Sequence, residues 1–233
     1  MINKKKFLAI IPARSGSKGL KNKNFLKLGN LQLYEWTVKS VLKSKIIDHI
    51  IVSSDSKKIT NLSYNNIAIE RDHRKPSLAM DNTKIIEVIL DILKKNISYD
   101  YVVLLQPTSP FRNYKDIDIC IKKMILGKYS SAFSAKRLEH DPRWSFTMSK
   151  KNKLNPIIKN FPISTNRQDA CTFYRPTGEI YIASSKWLIN KKTFISNNSL
   201  GYLSTSQFIV DIDNKNDFQF AEYLVSSKKV SPS

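Results

Sequence analysis

Residues Phe7–Asn24 read F-L-A-I-I-P-A-R-S-G-S-K-G-L-K-N-K-N. An apolar run ends at Pro12 and passes at once into a loop of small residues and cations. Phe7–Ile11 is short, continuous and rich in β-formers, the pattern of a strand covered on both faces. In the loop behind it, Gly16 and Gly19 permit a tight turn and offer backbone N–H groups to an anion. Arg14, Lys18, Lys21 and Lys23 add positive charge. The loop is neither G-x-x-x-x-G-K-[ST] nor G-x-G-x-x-G. Taken alone it has two readings, a phosphate cradle and a solvated basic turn after a core strand.

Outward from this strand, apolar runs alternate with amphipathic stretches. Leu33–Lys43 is predicted helical, with Tyr34, Val38, Val41 and Leu42 on one face. Ile50–Ser53 is a second strand. Thr83–Lys95 is a helix striped by Ile85, Ile89, Ile92 and Leu93. Tyr101–Leu105 is a third strand, stopped by Gln106 and Pro107. Asn113 and Asp116 signal the start of a helix that carries Ile117, Ile121, Met124 and Ile125. Ser131–Ala135, Glu179–Ala183 and Gln207–Val210 are further strand candidates, and Asp217–Ser226 is a terminal helix. The alternation predicts an α/β fold: a mostly parallel sheet with helices on both faces. Residues 136–175 break the rhythm with Pro142, Pro156 and Pro162, and read as an excursion within a single domain spanning 1–233.

Composition narrows the class. The 233 residues are 41% hydrophobic, as in a globular protein. No apolar stretch approaches the roughly 20 residues that span a bilayer. The apolar part of the N-terminus is too short for a signal peptide, so the expected location is cytoplasmic, with no membrane partner. Cys120 and Cys171 have no C-x-x-C partners, and His49, His73 and His140 are scattered, which points away from a disulfide framework or a zinc knuckle. The net charge of +20 suits nucleic acid or acidic ligands in principle. The lysines are spread along the whole chain, however, and no stacking-aromatic pattern accompanies them. They read as solvated faces, with no nucleic-acid partner expected.

The polar motifs follow the strands: Arg14 onward, Ser53–Asp55, Gln106–Arg112 and Asp211–Asp213. Ligands of open α/β sheets bind beyond the carboxyl ends of the strands, so four such clusters on one edge build one site. Each has a plainer alternative. Asp81, Asn82 or Thr83 is placed to cap the helix that follows. The prolines of L-L-Q-P-T-S-P-F-R (104–112) stiffen a turn, while Gln106 is placed to read a polar ligand. Arg167 and Arg175 are either solvated or fork onto an anion. Asp211 and Asp213 either converge on a hard cation, if the strand ends at Val210, or belong to an acidic helix start capped by Asp213 or Asn214.

Taken in order, I-P-A-R-S-G-S-K-G-L-K-N-K-N (11–24), I-I-V-S-S-D (50–55), R-K-P-S-L-A-M-D (74–81), L-L-Q-P-T-S-P-F-R (104–112), R-Q-D-A-C-T-F-Y-R-P-T-G-E-I-Y-I (167–182) and V-D-I-D-N-K-N-D-F (210–218) span almost the whole chain. Together they resemble the cytidylyltransferases that activate acidic keto-sugars, of the acylneuraminate (CMP-sialic acid synthetase) type, which includes the legionaminate and pseudaminate enzymes. The related Kdo synthetases typically carry S-x-R-L-P in the first loop, which this chain lacks.

The resemblance implies a Rossmann-like domain with a small dimerisation excursion, here about 136–175, and a homodimer whose partner helps cover the sugar site. It implies CTP and a nonulosonic acid as substrates, pyrophosphate as by-product, and Mg²⁺ or Mn²⁺ as cofactor. Arg14, Ser17, Lys18, Lys23 and Asn24 match the loop that embraces the triphosphate, and Arg74 matches a nucleotide-side arginine. Lys23, Arg14 and Asp211 are the expected catalytic set. Gln106, Arg167 and Tyr181 match sugar-side positions, Phe194 an aromatic near the acyl-amino group, and Asp211 and Asp213 the metal pair. Two positions depart from the family pattern. Thr177 stands where many relatives have Asn, and Ile195 where a second aromatic can follow Phe194, which leaves the particular acid open.

Overall fold

The computed structural model describes residues 4–17, 19–57, 59, 63–64, 67–96, 98–158 and 172–232. In chain order the elements are β1 (Phe7–Pro12), β2 (Lys27–Leu28), β3 (Leu31–Gln32), α1 (Leu33–Leu42), β4 (His49–Ser54), β5 (Ser63–Tyr64), β6 (Ile67–His73), α2 (Ile85–Lys95) and β7 (Tyr101–Leu104). They continue with α3 (Tyr114–Leu126), β8 (Ser131–Arg137), β9 (Phe146–Met148), β10 (Leu154–Pro156), β11 (Tyr174–Ser184), α4 (Ser185–Lys191), β12 (Ser199–Leu203) and α5 (Lys215–Ser226).

β1 is a central strand. It pairs in parallel with β4 on one side and β7 on the other, with Ala9 opposite Ile50 and Val103. β6 extends the parallel run beyond β4, and β11 lies antiparallel to β7. Among the described residues the sheet has eight strands, ordered β12-β8-β11-β7-β1-β4-β6-β5. Successive side chains of β1 point to opposite faces. Phe7, Ala9 and Ile11 pack with Val38 and Val41 of α1 and Ile117 and Ile121 of α3. Leu8 and Ile10 pack with Val88, Ile89 and Ile92 of α2 and Leu188 of α4. All five residues from Phe7 to Ile11 are fully buried. Both faces being covered is why the run is continuously apolar, and burial of each large side chain contributes about 1.5–3 kcal/mol.

Two expectations change. Gln207–Val210 is not a strand. Val210 and Ile212 are instead buried with Leu33, Trp36 and Leu224, and the Ile212 N–H donates to the Thr108 carbonyl at 2.9 Å. The apolar residues there anchor a loop, and the strand near this position is β12. No side chain among Asp81, Asn82 and Thr83 caps α2; its cap position is Lys84, and the Thr83 hydroxyl donates to the Ser77 carbonyl at 3.2 Å. For α5 the cap is Asn214, one of the two residues expected, in a box with Asp217. Asn113 caps α3, accepting from the Lys115 N–H.

By internal packing the chain divides into two compact units, Met1–Ser134 with Thr177–Ser233, and Ala135–Pro176. In the smaller one, β9 and β10 form a hairpin with Phe146 opposite Pro156 and Met148 opposite Leu154. Phe146, Met148, Leu154, Ile157 and Ile158 are all exposed. Among the described residues no helix is long and apolar enough to cross a membrane.

Candidate active site

Because β1, β4 and β7 are parallel, their carboxyl ends meet on one edge of the sheet. The loops that leave this edge surround a cavity of about 370 Å³. Arg14, Ser17, Lys23, Asn24, Arg74, Gln106 and Asp213 line it, so seven of the residues singled out in the sequence are brought together. Lys18 and Arg167 lie outside the described residues. Asp211, Tyr181 and Phe194 are not part of the cavity wall.

The cavity's cations face carboxylates. Lys23 Nζ lies 3.0 Å from Asp213 Oδ1. The Arg14 guanidinium lies 2.9 Å from Asp81 Oδ1 and donates to the Ala79 carbonyl at 3.3 Å. Arg74 is only 4% exposed. It donates to Ser53 Oγ at 3.2 Å and to the Ser53 carbonyl at 2.9 Å. Burial pushes its pKa down, while Asp55 and Asp72 pull the other way. Ser53 in turn donates to Asp72, which also receives Lys95. Arg74 is therefore a wall held from behind, with much of its donor capacity spent inside the protein.

Two glycines are required here, each by a measurable contact. A Cβ on Gly19 would lie 2.5 Å from the Asp213 carbonyl oxygen, so only glycine lets the two loops approach. The turn at Gly16 and Gly19 does not use a left-handed glycine. Among the described residues only Gly29 and Gly178 are glycines with positive φ, and the left-handed residue of this loop is Asn22. Nothing lies within 4 Å of a Cβ at Gly16. Gly178 has φ +81°, and a Cβ there would lie 2.8 Å from Gln106 Oε1 and 2.9 Å from Ser109 Oγ.

Beneath Gln106 is a buried network that the sequence did not disclose. Arg112 donates to the Glu179 carbonyl at 2.9 Å, to Thr37 Oγ1 at 2.8 Å and to the Gln106 carbonyl at 2.6 Å. Its burial pushes the guanidinium pKa down to about 10, with Glu179 opposing. Glu179 accepts from Thr177 and from Ser206, at 2.9 and 2.6 Å. Thr177, the family departure, is 2% exposed and shares a 2.6 Å hydrogen bond with Ser134. Its hydroxyl is spent in the interior. The only sequence signal for Arg112 was its place at the end of the Gln106 motif.

Tyr181 sits on β11 opposite Leu104 of β7. Burial raises its phenol pKa, and the Asp211 charge raises it further. Phe194 is a core residue, 7% exposed, with its ring centroid 5.8 Å from that of Tyr181. Asp211 and Asp213 flank the fully buried Ile212 and are both exposed.

A sequence family described as cytidylyltransferase matches residues 8–229. The chain belongs to the cytidylyltransferase family. Among its relatives, an N-acylneuraminate cytidylyltransferase of Escherichia coli O18:K1:H7 is 32% identical over 217 residues, 93% of this chain and 51% of the relative. A CMP-N,N'-diacetyllegionaminic acid synthase of Legionella pneumophila is 33% identical over 228 residues, 94% of this chain and 96% of the relative. The chain thus spans about half of the first relative and nearly all of the second. A solved CMP:2-keto-3-deoxy-manno-octonic acid synthetase, complexed with CTP, superposes with a TM-score of 0.66 at 12% identity, covering 96% of this chain and 99% of that one. At that identity the likeness concerns the fold.

Proposed function

We propose that this cytidylyltransferase joins CTP to a nonulosonic acid of the sialic type, giving the CMP-sugar and pyrophosphate. The observation that carries the reading is the cavity at the sheet edge, where Lys23, Arg14 and Arg74 converge beside Gln106 and Asp213. The relatives named above activate acids of this class. In the proposed reaction the anomeric C2 hydroxyl attacks the α-phosphorus of CTP. An O–P bond forms, the bond to the β-phosphate oxygen breaks, pyrophosphate leaves with the electron pair, and the hydroxyl proton passes to water. Lys23 and Arg14 neutralise the triphosphate as charge moves to the leaving group, so catalysis is positioning and charge stabilisation. Ser17 and Asn24 stand on the triphosphate side, and Arg74 on the base side. Gln106 and Tyr181 are assigned to the sugar, Arg167 is assigned to it by resemblance alone, and the Phe194 ring backs Tyr181. The use of CTP carries with it a cytoplasmic location.

Asp211 and Asp213 fit a hard cation such as Mg²⁺ or Mn²⁺. Both carboxylates are exposed, and Asp213 already pairs with a cation, the Lys23 ammonium. Mg²⁺ asks for only one or two carboxylates when waters and phosphate oxygens complete its shell. Such an ion, when bound, polarises a phosphoryl oxygen and lowers the pKa of a nearby hydroxyl.

The test incubates purified protein with CTP, Mg²⁺ and N-acetylneuraminate, legionaminate, pseudaminate or Kdo, reading pyrophosphate release and product mass. A CMP-sugar with one of the three nine-carbon acids is expected. Release with Kdo alone, or with none, overturns the reading. Chelating the metal is expected to abolish release, and Asp211→Ala to slow it by about 10²–10³-fold. A normal rate in Asp211→Ala removes that carboxylate from the metal site.

The assembly proposed is a homodimer through the smaller unit. Its hairpin exposes Phe146, Met148 and Leu154. An apolar strand face left open to water is a surface that a second copy covers. Sedimentation equilibrium is expected to give a dimer for the parent and a monomer for Met148→Lys combined with Leu154→Lys. A double variant that stays dimeric places the interface elsewhere.

A further inference from the structure

The peptide that joins Arg14 to Ser15 is held by both of its polar atoms. The Arg14 carbonyl accepts from Asn24 Nδ2 at 2.9 Å. The Ser15 N–H donates to Asp55 Oδ1 at 2.7 Å, and the Ser15 hydroxyl donates to Asp55 Oδ2 at 2.6 Å. Both oxygens of one carboxylate are thus engaged by one residue. A peptide plane fixed at its carbonyl and at its N–H has no freedom to flip. The direction in which the Arg14 side chain leaves the backbone is then set.

Asp55 is well placed to act in this way. It follows β4, whose residue Ser53 is paired with Pro12 of β1 and accepts the Ala13 N–H at its carbonyl. It therefore stands just past the carboxyl end of β4 and reaches across to the start of the loop. Burial alone would raise its carboxyl pKa, yet the Ser15 hydrogen bonds and the nearby Arg74 charge bring it below the ordinary value. The carboxylate is ionised whenever the protein is at neutral pH.

We infer that Asp55 is a positioning residue for the first loop: with Asn24 it fixes the Arg14–Ser15 peptide and so aims the Arg14 guanidinium into the cavity. The inference rests on the proposed use of CTP at this site. Asp55 itself does not line the cavity and acts through Arg14. Its effect falls on the triphosphate and not on the acid.

The experiment compares Asp55→Ala, Asp55→Asn and Ser15→Ala with the parent, by steady-state kinetics in each substrate and by calorimetry of CTP binding alone. For Asp55→Ala the KM and the dissociation constant for CTP are expected to rise about 10- to 100-fold, the scale of charge-assisted hydrogen bonds, with KM for the acid unchanged. Asp55→Asn keeps an acceptor for the Ser15 N–H and is expected to recover most of the loss. Adding Ser15→Ala to Asp55→Ala is expected to cost nothing more, because the hydroxyl has already lost its partner. An unchanged CTP affinity in Asp55→Ala overturns the inference. So does a rise in both Michaelis constants alike, or an Asn variant no better than Ala. Should Asp55→Ala fail to fold, Ser15→Ala decides the matter: losing the hydroxyl bond to Asp55 is expected to weaken CTP binding, and affinity equal to the parent's overturns the inference. If the parent binds CTP but turns over none of the acids, the acid reading fails and the calorimetry alone decides this inference. If the parent does not bind CTP, both fall.

Discussion

An Arg112→Met protein is expected to unfold about 3–5 kcal/mol more easily than the parent. Arg112 is among the largest fully buried side chains of the molecule. Its donors satisfy three oxygens from three separate segments, Thr37 on α1, Gln106 after β7 and Glu179 on β11. Methionine fills much of the volume and donates nothing. Each buried acceptor left alone costs about 1–3 kcal/mol. Glu179, itself only 2% exposed, also loses the positive charge beside it. Urea melts followed by circular dichroism give the answer. At a slope of about 3 kcal/mol per molar, the midpoint falls by about 1 M or more. A fall below about 0.3 M would show that the three oxygens find other donors. Arg112→Lys is expected to lie between the two, since one ammonium cannot serve three fork directions at once.

Lys23→Met is expected to show the opposite division between stability and turnover. The ion pair with Asp213 joins a side chain 13% exposed to one 73% exposed. Pairs so open to water contribute at most about 1 kcal/mol, so the unfolding midpoint hardly moves. The loss falls on CTP. The ammonium lines the cavity where the proposed triphosphate sits, and removing one such cation is expected to lower kcat/KM for CTP by about 10³-fold. Pyrophosphate release at varied CTP, with the acid saturating, measures it. A value within about threefold of the parent's would remove Lys23 from the reaction and with it the assignment of this cavity. Arg112 and Lys23 thus separate the two demands on the site: one cation holds the walls together, and the other is left near the surface to meet a ligand.

The strands and helices that could be read in advance share one property. Their pattern of burial is written in the periodicity of a single segment. β1 is apolar throughout because both faces are covered, and α2 carries its stripe because one face is. Val210 and Ile212 are buried as well, but against α1 and α5 in a loop without a ladder. An apolar pair looks the same in either setting, so a strand was expected there. The seven residues of α4 offered too short a period to declare a helix. Its start is nevertheless marked by Ser184, which accepts from the Trp187 N–H. Thr177 and Gly178 invite a ligand reading as part of a motif, yet the first is buried in a hydroxyl network and the second makes room for Gln106.

The sequence by itself settled the α/β alternation, the burial of Phe7–Ile11 on both faces and the gathering of polar loops after the strands. Those properties follow from side-chain periodicity and from where apolar runs stop, which are local. The tertiary structure alone decided which charges meet. Lys23 reaches Asp213 across 190 positions, Ser15 reaches Asp55 across 40, and Arg112 reaches Thr37 across 75. Such pairings depend on strand order, parallel register and close backbone approach, as of Gly19 to the Asp213 carbonyl, and no window of neighbouring residues contains them.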